Sequence, residues 1–160
     1  CERSSIANLN LKQRTPLVEP SRWNHILYLN ELPDHSFIPG IPGGKISADL
    51  CRGKILTNLD ILKYVDFLFI SDEDLFMEVP DLHKYVKGHI ILHYKSGSIC
   101  YTKGGEVLKT EVDLIENVNV LGCGDMFAAA FINAFLCRDD LRLSIRDAHD
   151  SVSHYLKGKQ

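Results

Sequence analysis

The fold turns on the stretch Asn119-Val-Leu-Gly-Cys-Gly-Asp-Met-Phe-Ala-Ala-Ala-Phe-Ile-Asn-Ala-Phe-Leu136. Gly122 and Gly124 flank Cys123 and precede Asp125, and a run of good helix formers with an almost wholly apolar surface follows at once. That order predicts a glycine-rich turn opening a buried helix. The first N–H groups of a helix have no partner inside it, and the aligned peptide dipoles place partial positive charge at the same end, so an anion is favoured there. Gly122 and Gly124 let the backbone approach a phosphoryl group with no Cβ in between. Asp125 then falls in the first turn, where it can take a proton from an attacking hydroxyl while the amides of Gly122, Cys123 and Gly124 stabilise charge developing on the transferred group. A plainer reading, a core helix capped by glycine and an acidic residue, fits this stretch equally well.

Composition bounds what surrounds that turn. A chain of 160 residues, 45% hydrophobic and 24% charged, suffices for one domain with a proper core. A net charge of −3 argues against a general nucleic-acid binder. No run of about 18 apolar residues occurs, so no membrane span is expected; Met126–Cys137 comes nearest, is interrupted by Asn133, and reads as a core helix. Five cysteines, at positions 1, 51, 100, 123 and 137, show no paired spacing and read as reduced thiols of a cytoplasmic protein. The chain opens at Cys1 without a methionine or a signal-peptide pattern, which suggests that the natural start lies upstream.

Read in order, Cys1–Asn10 alternates like an edge strand, and Pro16, Pro20 and Ser21 punctuate a loop before Trp23, expected in a short helical turn as a packing residue. His25–Asn30 is an apolar run suited to a buried parallel strand. Glu31–Gly44 carries three prolines and three glycines and cannot hold much helix. Yet Lys45–Leu50 is the next strand, and a parallel crossover normally contains a helix. Either the connection is shortened or residues are missing there. Thr57–Tyr64 predicts a helix, Phe67–Ile70 a strand buried on both faces, Ser71–Asp74 a cap for the next helix, and Pro80–Lys87 that helix, with Gly88 as its stop. His89–His93 predicts a strand whose two histidines lie two pleats apart, too poor a pairing for metal. Ser98–Thr102 and Val107–Val112 form a hairpin-like pair, and Asp139–Leu156 a polar-faced helix, with a frayed or cut end at Lys157–Gln160. Strands alternating with helices predict an open, doubly wound α/β sheet, whose ligands sit at the carboxyl ends of the strands. Asp49, Ser71–Asp74, Gly97 and Gly122–Asp125 all follow predicted strands closely.

Gly122-Cys-Gly-Asp125 resembles the Gly-Ala-Gly-Asp signature of the ribokinase-like (PfkB) carbohydrate and nucleoside kinases, with cysteine for alanine. Cys1–Asn10 is similar to the segment that leaves the substrate lid in adenosine kinases, and Ile46–Gly53 to the family's strand ending in aspartate and arginine. The resemblance implies a ribokinase-like doubly wound sheet with helices on both faces, as one incomplete domain over 1–160, the family's first third and most of its lid being absent. It implies transfer of the ATP γ-phosphoryl to a hydroxyl of a small-molecule sugar or nucleoside. Asp125 would be the base, the Gly122–Gly124 turn the anion hole, Asp49 a substrate contact, and Asp74 a magnesium ligand. Ser71, Gly97 and Asn119 would stand beside the nucleotide. A homodimer is among the assemblies open to it.

Departures accumulate around the nucleotide. Ser71 and Asp74 replace the family's Asn-x-x-Glu, keeping oxygen ligands but losing the amide, and a plain acidic helix start explains Asp72–Asp74 equally. Leu92 and Tyr94 stand where a threonine and a glycine belong, and Asn119-Val120 where Asp-Thr belongs. These losses support a second expectation, a family member that binds a small molecule or a protein and catalyses nothing.

Overall fold

Phe67-Leu-Phe-Ile-Ser71 has no polar alternation, so it can sit only where both faces of a sheet are covered. In the computed structural model, which describes residues 20–51 and 55–159, it is an interior strand of a six-stranded sheet. The expected strand over Cys1–Asn10, the loop residue Pro16 and the Arg52-Gly53 end of the Ile46–Gly53 segment lie outside the described residues.

The strands are β1 Trp23–Ile26, β2 Lys45–Asp49, β3 Phe67–Ser71, β4 His89–Tyr94, β5 Gly97–Tyr101 and β6 Val107–Glu111. Their spatial order is their sequence order, β1 to β4 pairing in parallel and β4 to β6 as an antiparallel meander. Alternate β3 side chains enter different cores. Leu68 and Ile70 pack with Leu29, Ile38, Leu62, Val79 and Leu82, beneath 3-10 turns and the short helix α1, Val79–Leu82. Phe67 and Phe69 pack with Phe127, Phe131, Phe135, Ile145 and Ala148 of α2, Cys123–Arg138, and α3, Leu141–Lys157. The Phe131 ring lies 5.3 Å from that of Phe67 and 5.4 Å from that of Phe69, tilted or edge-on as ring quadrupoles favour. Helical structure thus covers both faces of an open α/β sheet. No helix among the described residues is long and apolar enough to cross a membrane.

Several expected boundaries shift for physical reasons. Trp23 begins β1 rather than a helical turn, and the strand stops at Ile26 because Tyr28 adopts a left-handed backbone, φ 56°, ahead of a 3-10 turn at Leu29–Glu31. Leu29 is fully buried through that turn, so its apolarity marks the core and not the strand. The crossover from β1 to β2 contains no α-helix: 3-10 turns at Leu29–Glu31 and Ile38–Gly40 span it, and Leu29 and Ile38 supply the apolar face a helix would have. The helix expected over Thr57–Tyr64 is a 3-10 helix, Leu59–Tyr64, and that over Pro80–Lys87 shrinks to α1. Ser71–Asp74 caps no helix; it forms a turn, closed by Asp74 N–H donating to Ser71 O at 3.0 Å, and Glu78 precedes α1. The last helix begins at Leu141 because the Asp140 carboxylate caps Leu143 N–H at 2.9 Å.

Candidate active site

Parallel pairing brings the carboxyl ends of β1 to β4 to one edge, and the start of α2 sits on that edge. A Cβ on Gly124 would lie 3.4 Å from His93 Cε1 on β4, and the Tyr28 hydroxyl, just past β1, donates to Asp125 Oδ1 at 3.2 Å. The anticipated turn is therefore in place, with its carboxylate exposed and facing the strand ends.

Gly122 opens α2 with φ 83°, a left-handed conformation that favours glycine, and no side chain caps the helix. Cys123 N–H donates to Val120 O at 3.1 Å and Met126 N–H to Gly122 O at 3.0 Å. Between them the amides of Gly124 and Asp125 have no protein acceptor among the described residues. Of the expected donors, the Cys123 amide is thus engaged within the turn, and the Asp125 amide stands without a protein acceptor beside that of Gly124. The turn is braced from below. Asn119 Oδ1 accepts from Leu121 N–H at 2.9 Å, while Tyr155 Oη and Lys159 Nζ donate to Leu121 O at 3.1 and 2.9 Å. Asn119 thus spends its side-chain oxygen on the turn itself. Burial raises the Cys123 thiol above its usual pKa, against the opposing charge of Lys159.

Asp49 closes β2, only 5% exposed, its Oδ2 3.4 Å from His25 Nε2. Burial pushes its carboxyl upward, the His25 and His93 rings oppose that, and the charge of Asp125 adds to it. Tyr28 is likewise raised, by burial and then by Asp125, which keeps its hydroxyl protonated as a donor. Asn30 fixes this corner, donating to Cys51 O at 2.6 Å and accepting from Cys51 N–H at 3.0 Å. Asp49, Asp125, Tyr28, His25 and His93 therefore share one electrostatic neighbourhood.

The other expected residues stand differently. Ser71 Oγ donates to Asp74 Oδ2 at 2.5 Å, and Asp74 Oδ1 is buried without a hydrogen-bond partner. An unsatisfied carboxylate oxygen suits a hard cation, but no group of three or more His, Cys, Asp or Glu side chains among the described residues could hold one alone. Gly97 has a structural reason to be glycine: its φ is +150°, and a Cβ there would lie 2.0 Å from Thr110 O. It pairs with Tyr94 at the turn between β4 and β5.

Sequence reasoning assigns no role to Tyr28 or His25, and weighs His93 only as a metal ligand with His89. His93 was accessible in principle, because it follows Ile91 by two positions and so faces α2 with it. His25 stands two residues from Trp23 on β1, but its partner Asp49 lies on another strand. Tyr28 carries no local signal; the left-handed turn that aims it is set by tertiary packing.

No family model matches the chain. Fructosamine kinase FrlD of Bacillus subtilis (strain 168) is 27% identical over 103 residues, 58% of this chain and 34% of the relative. Among solved structures, a pyrophosphate-dependent kinase in the ribokinase family superposes with a TM-score of 0.71 at 18% identity, covering 86% of this chain and 57% of that one. Ribokinase from Thermotoga maritima gives 0.65 at 18% identity, covering 80% and 48%. The nucleoside kinase of Methanocaldococcus jannaschii, an archaeal member of the ribokinase family, gives 0.63 at 20% identity, covering 86% and 50%. The chain spans about a third of the curated relative and about half of these structures. Over that span it has the ribokinase-like fold, with Gly122–Asp125 at the carboxyl edge of its sheet.

Proposed function

We propose that the chain is part of a kinase that transfers the γ-phosphoryl group of ATP to a hydroxyl of a sugar or nucleoside. The observation that carries this is the start of α2: two amides without acceptors and an exposed carboxylate in one helical turn, placed where parallel strands end. In such a transfer the protein's work is positioning and electrostatics. The Gly124 and Asp125 amides, aided by the helix dipole, hold the transferred group, and Asp125 takes the proton of the attacking hydroxyl. Tyr28 already donates to Asp125; an ionised carboxylate has further lone pairs, so an acceptor hydroxyl can share it. Asp49 receives a second hydroxyl of the same substrate. Asp74, its Oδ2 held by Ser71 and its Oδ1 without a protein partner, would be the residue to hold magnesium, which would supply neutralisation of phosphate charge.

A phosphate-release and sugar-phosphorylation screen with ATP and, because one neighbour is a pyrophosphate-dependent kinase, with pyrophosphate tests this reading. Asp125→Asn is expected to lower turnover by about 10²- to 10⁴-fold while leaving donor affinity largely intact. Retained turnover excludes the role. The second reading, a binding module without catalysis, draws on Leu92 and Tyr94, half-buried side chains at the end of β4 where the resemblance calls for threonine and glycine. Isothermal titration with Mg-ATP separates the two, since absence of heat at high nucleotide concentration favours the module.

A further inference from the structure

A chain of side chains crosses from the aromatic core to Asp49. Trp23 Nε1 lies 2.7 Å from Ser47 Oγ, and Ser47 Oγ lies 2.7 Å from His25 Nδ1. His25 Nε2 then faces Asp49 Oδ2 at 3.4 Å. The direction of these bonds follows from the donor inventory. An indole N–H can only donate, so Ser47 Oγ accepts it. Ser47 is fully buried, and among the described residues its own proton is left with His25 Nδ1 as acceptor. Were Nδ1 protonated, it would donate to Ser47 as well and leave the hydroxyl proton buried without an acceptor, which is unfavourable. Nδ1 is therefore the acceptor, and the neutral ring carries its proton on Nε2. That proton points at Asp49, and neither His25 Nε2 nor Asp49 Oδ2 has another hydrogen-bond partner.

We infer that His25 is a positioning residue, locked by Trp23 and Ser47 in its Nε2–H tautomer so that it holds one oxygen of Asp49 and leaves the other for a substrate hydroxyl. The 3.4 Å gap is slightly longer than a good hydrogen bond, and a shift of a few tenths of an ångström closes it when Asp49 takes up its ligand. His25 also packs edge-on against Phe69, at 6.0 Å between rings, which fixes its plane. The substrate-binding part rests on the kinase reading; the tautomer does not.

Two experiments separate them. Long-range ¹H–¹⁵N correlation spectra of the intact chain at neutral pH are expected to show His25 as the neutral Nε2–H tautomer, and Ser47→Ala is expected to turn that into a mixture. An Nδ1–H ring or an imidazolium overturns the relay, whatever the protein catalyses. Kinetically, His25→Asn keeps the contact to Ser47 and loses the donor toward Asp49, whereas His25→Gln can reach Asp49. His25→Asn is expected to raise KM for the acceptor about tenfold with kcat little changed, and His25→Gln to recover most of that loss. Equal KM effects from both substitutions overturn the positioning role. An inactive wild-type chain with the expected tautomer removes the kinase reading and leaves the relay standing.

Discussion

Replacing Gly124 with alanine should move stability and activity in opposite directions. Gly124 is the second residue of α2 and has ordinary helical backbone, unlike Gly122. The added Cβ would meet His93 Cε1 at 3.4 Å and Nε2 at 3.6 Å, normal van der Waals contact. Nothing has to move, so the substitution gains the helix preference of alanine, about 0.5–1 kcal/mol. For a domain of this size that corresponds to a rise in Tm of about 1–4 °C. The same methyl stands beside the amides proposed to hold a phosphoryl group, and displacing a reacting group by about 1 Å costs on the order of 10²-fold in rate. Differential scanning calorimetry and a coupled turnover assay on the same preparation measure the two effects. A stabilised variant with native turnover would refute the anion-hole reasoning; a destabilised one would refute the described packing of α2 on β4.

Gly97→Ala should cost stability whatever ligands are present, by more than about 1–3 kcal/mol, because it combines an unfavourable φ with a Cβ 2.0 Å from Thr110 O. A lowered urea midpoint in the absence of nucleotide checks this, whereas a native midpoint with lost ATP affinity would favour the nucleotide role expected of Gly97. His149 is buried beside Phe127 and bonded to Ser98 Oγ at 2.8 Å, and burial, with the His93 ring adding, holds its pKa down at about 4 against 6.5. The neutral ring's contribution is complete above about pH 6.5 and is lost as pH falls through about 4. It amounts to at most about 3 kcal/mol, less where solvent screens the ring. Urea melts at pH 7 and 4.5 should show a smaller acid loss for His149→Gln than for the native chain; equal losses would place the acid sensitivity elsewhere.

The sequence was most informative where one local rule sufficed. The uninterrupted apolar run at Phe67–Ile70 placed an interior strand, and the glycine pair before Asp125 placed both the helix and its exposed carboxylate. Boundaries moved where burial came from tertiary packing, as when Leu29 lengthened a strand that Tyr28 had already ended. The helix-free crossover was visible as a conflict between the prolines of Glu31–Gly44 and parallel pairing, and 3-10 turns resolve it. The donor set was only partly legible, since the Cys123 amide is taken by a carbonyl three residues earlier. The Asp49 corner was hardest to foresee. Trp23, Ser47, His25 and Asp49 become neighbours only because β1 and β2 run in register, with His25 opposite Ser47.

Tyr28 and Asp125, 97 residues apart in the chain, touch across the boundary between the sheet and the α2–α3 layer. Their contact is a seam between layers and not a feature of one element, so it exists only while that helical pair stays docked. Partial opening of the pair would part Asp125 from Tyr28 while the strands keep their ladders intact. Amide exchange in the first turn of α2 would then report undocking of the layer sooner than any global unfolding signal, and a ligand bridging the two sides would act as a clasp on the whole layer.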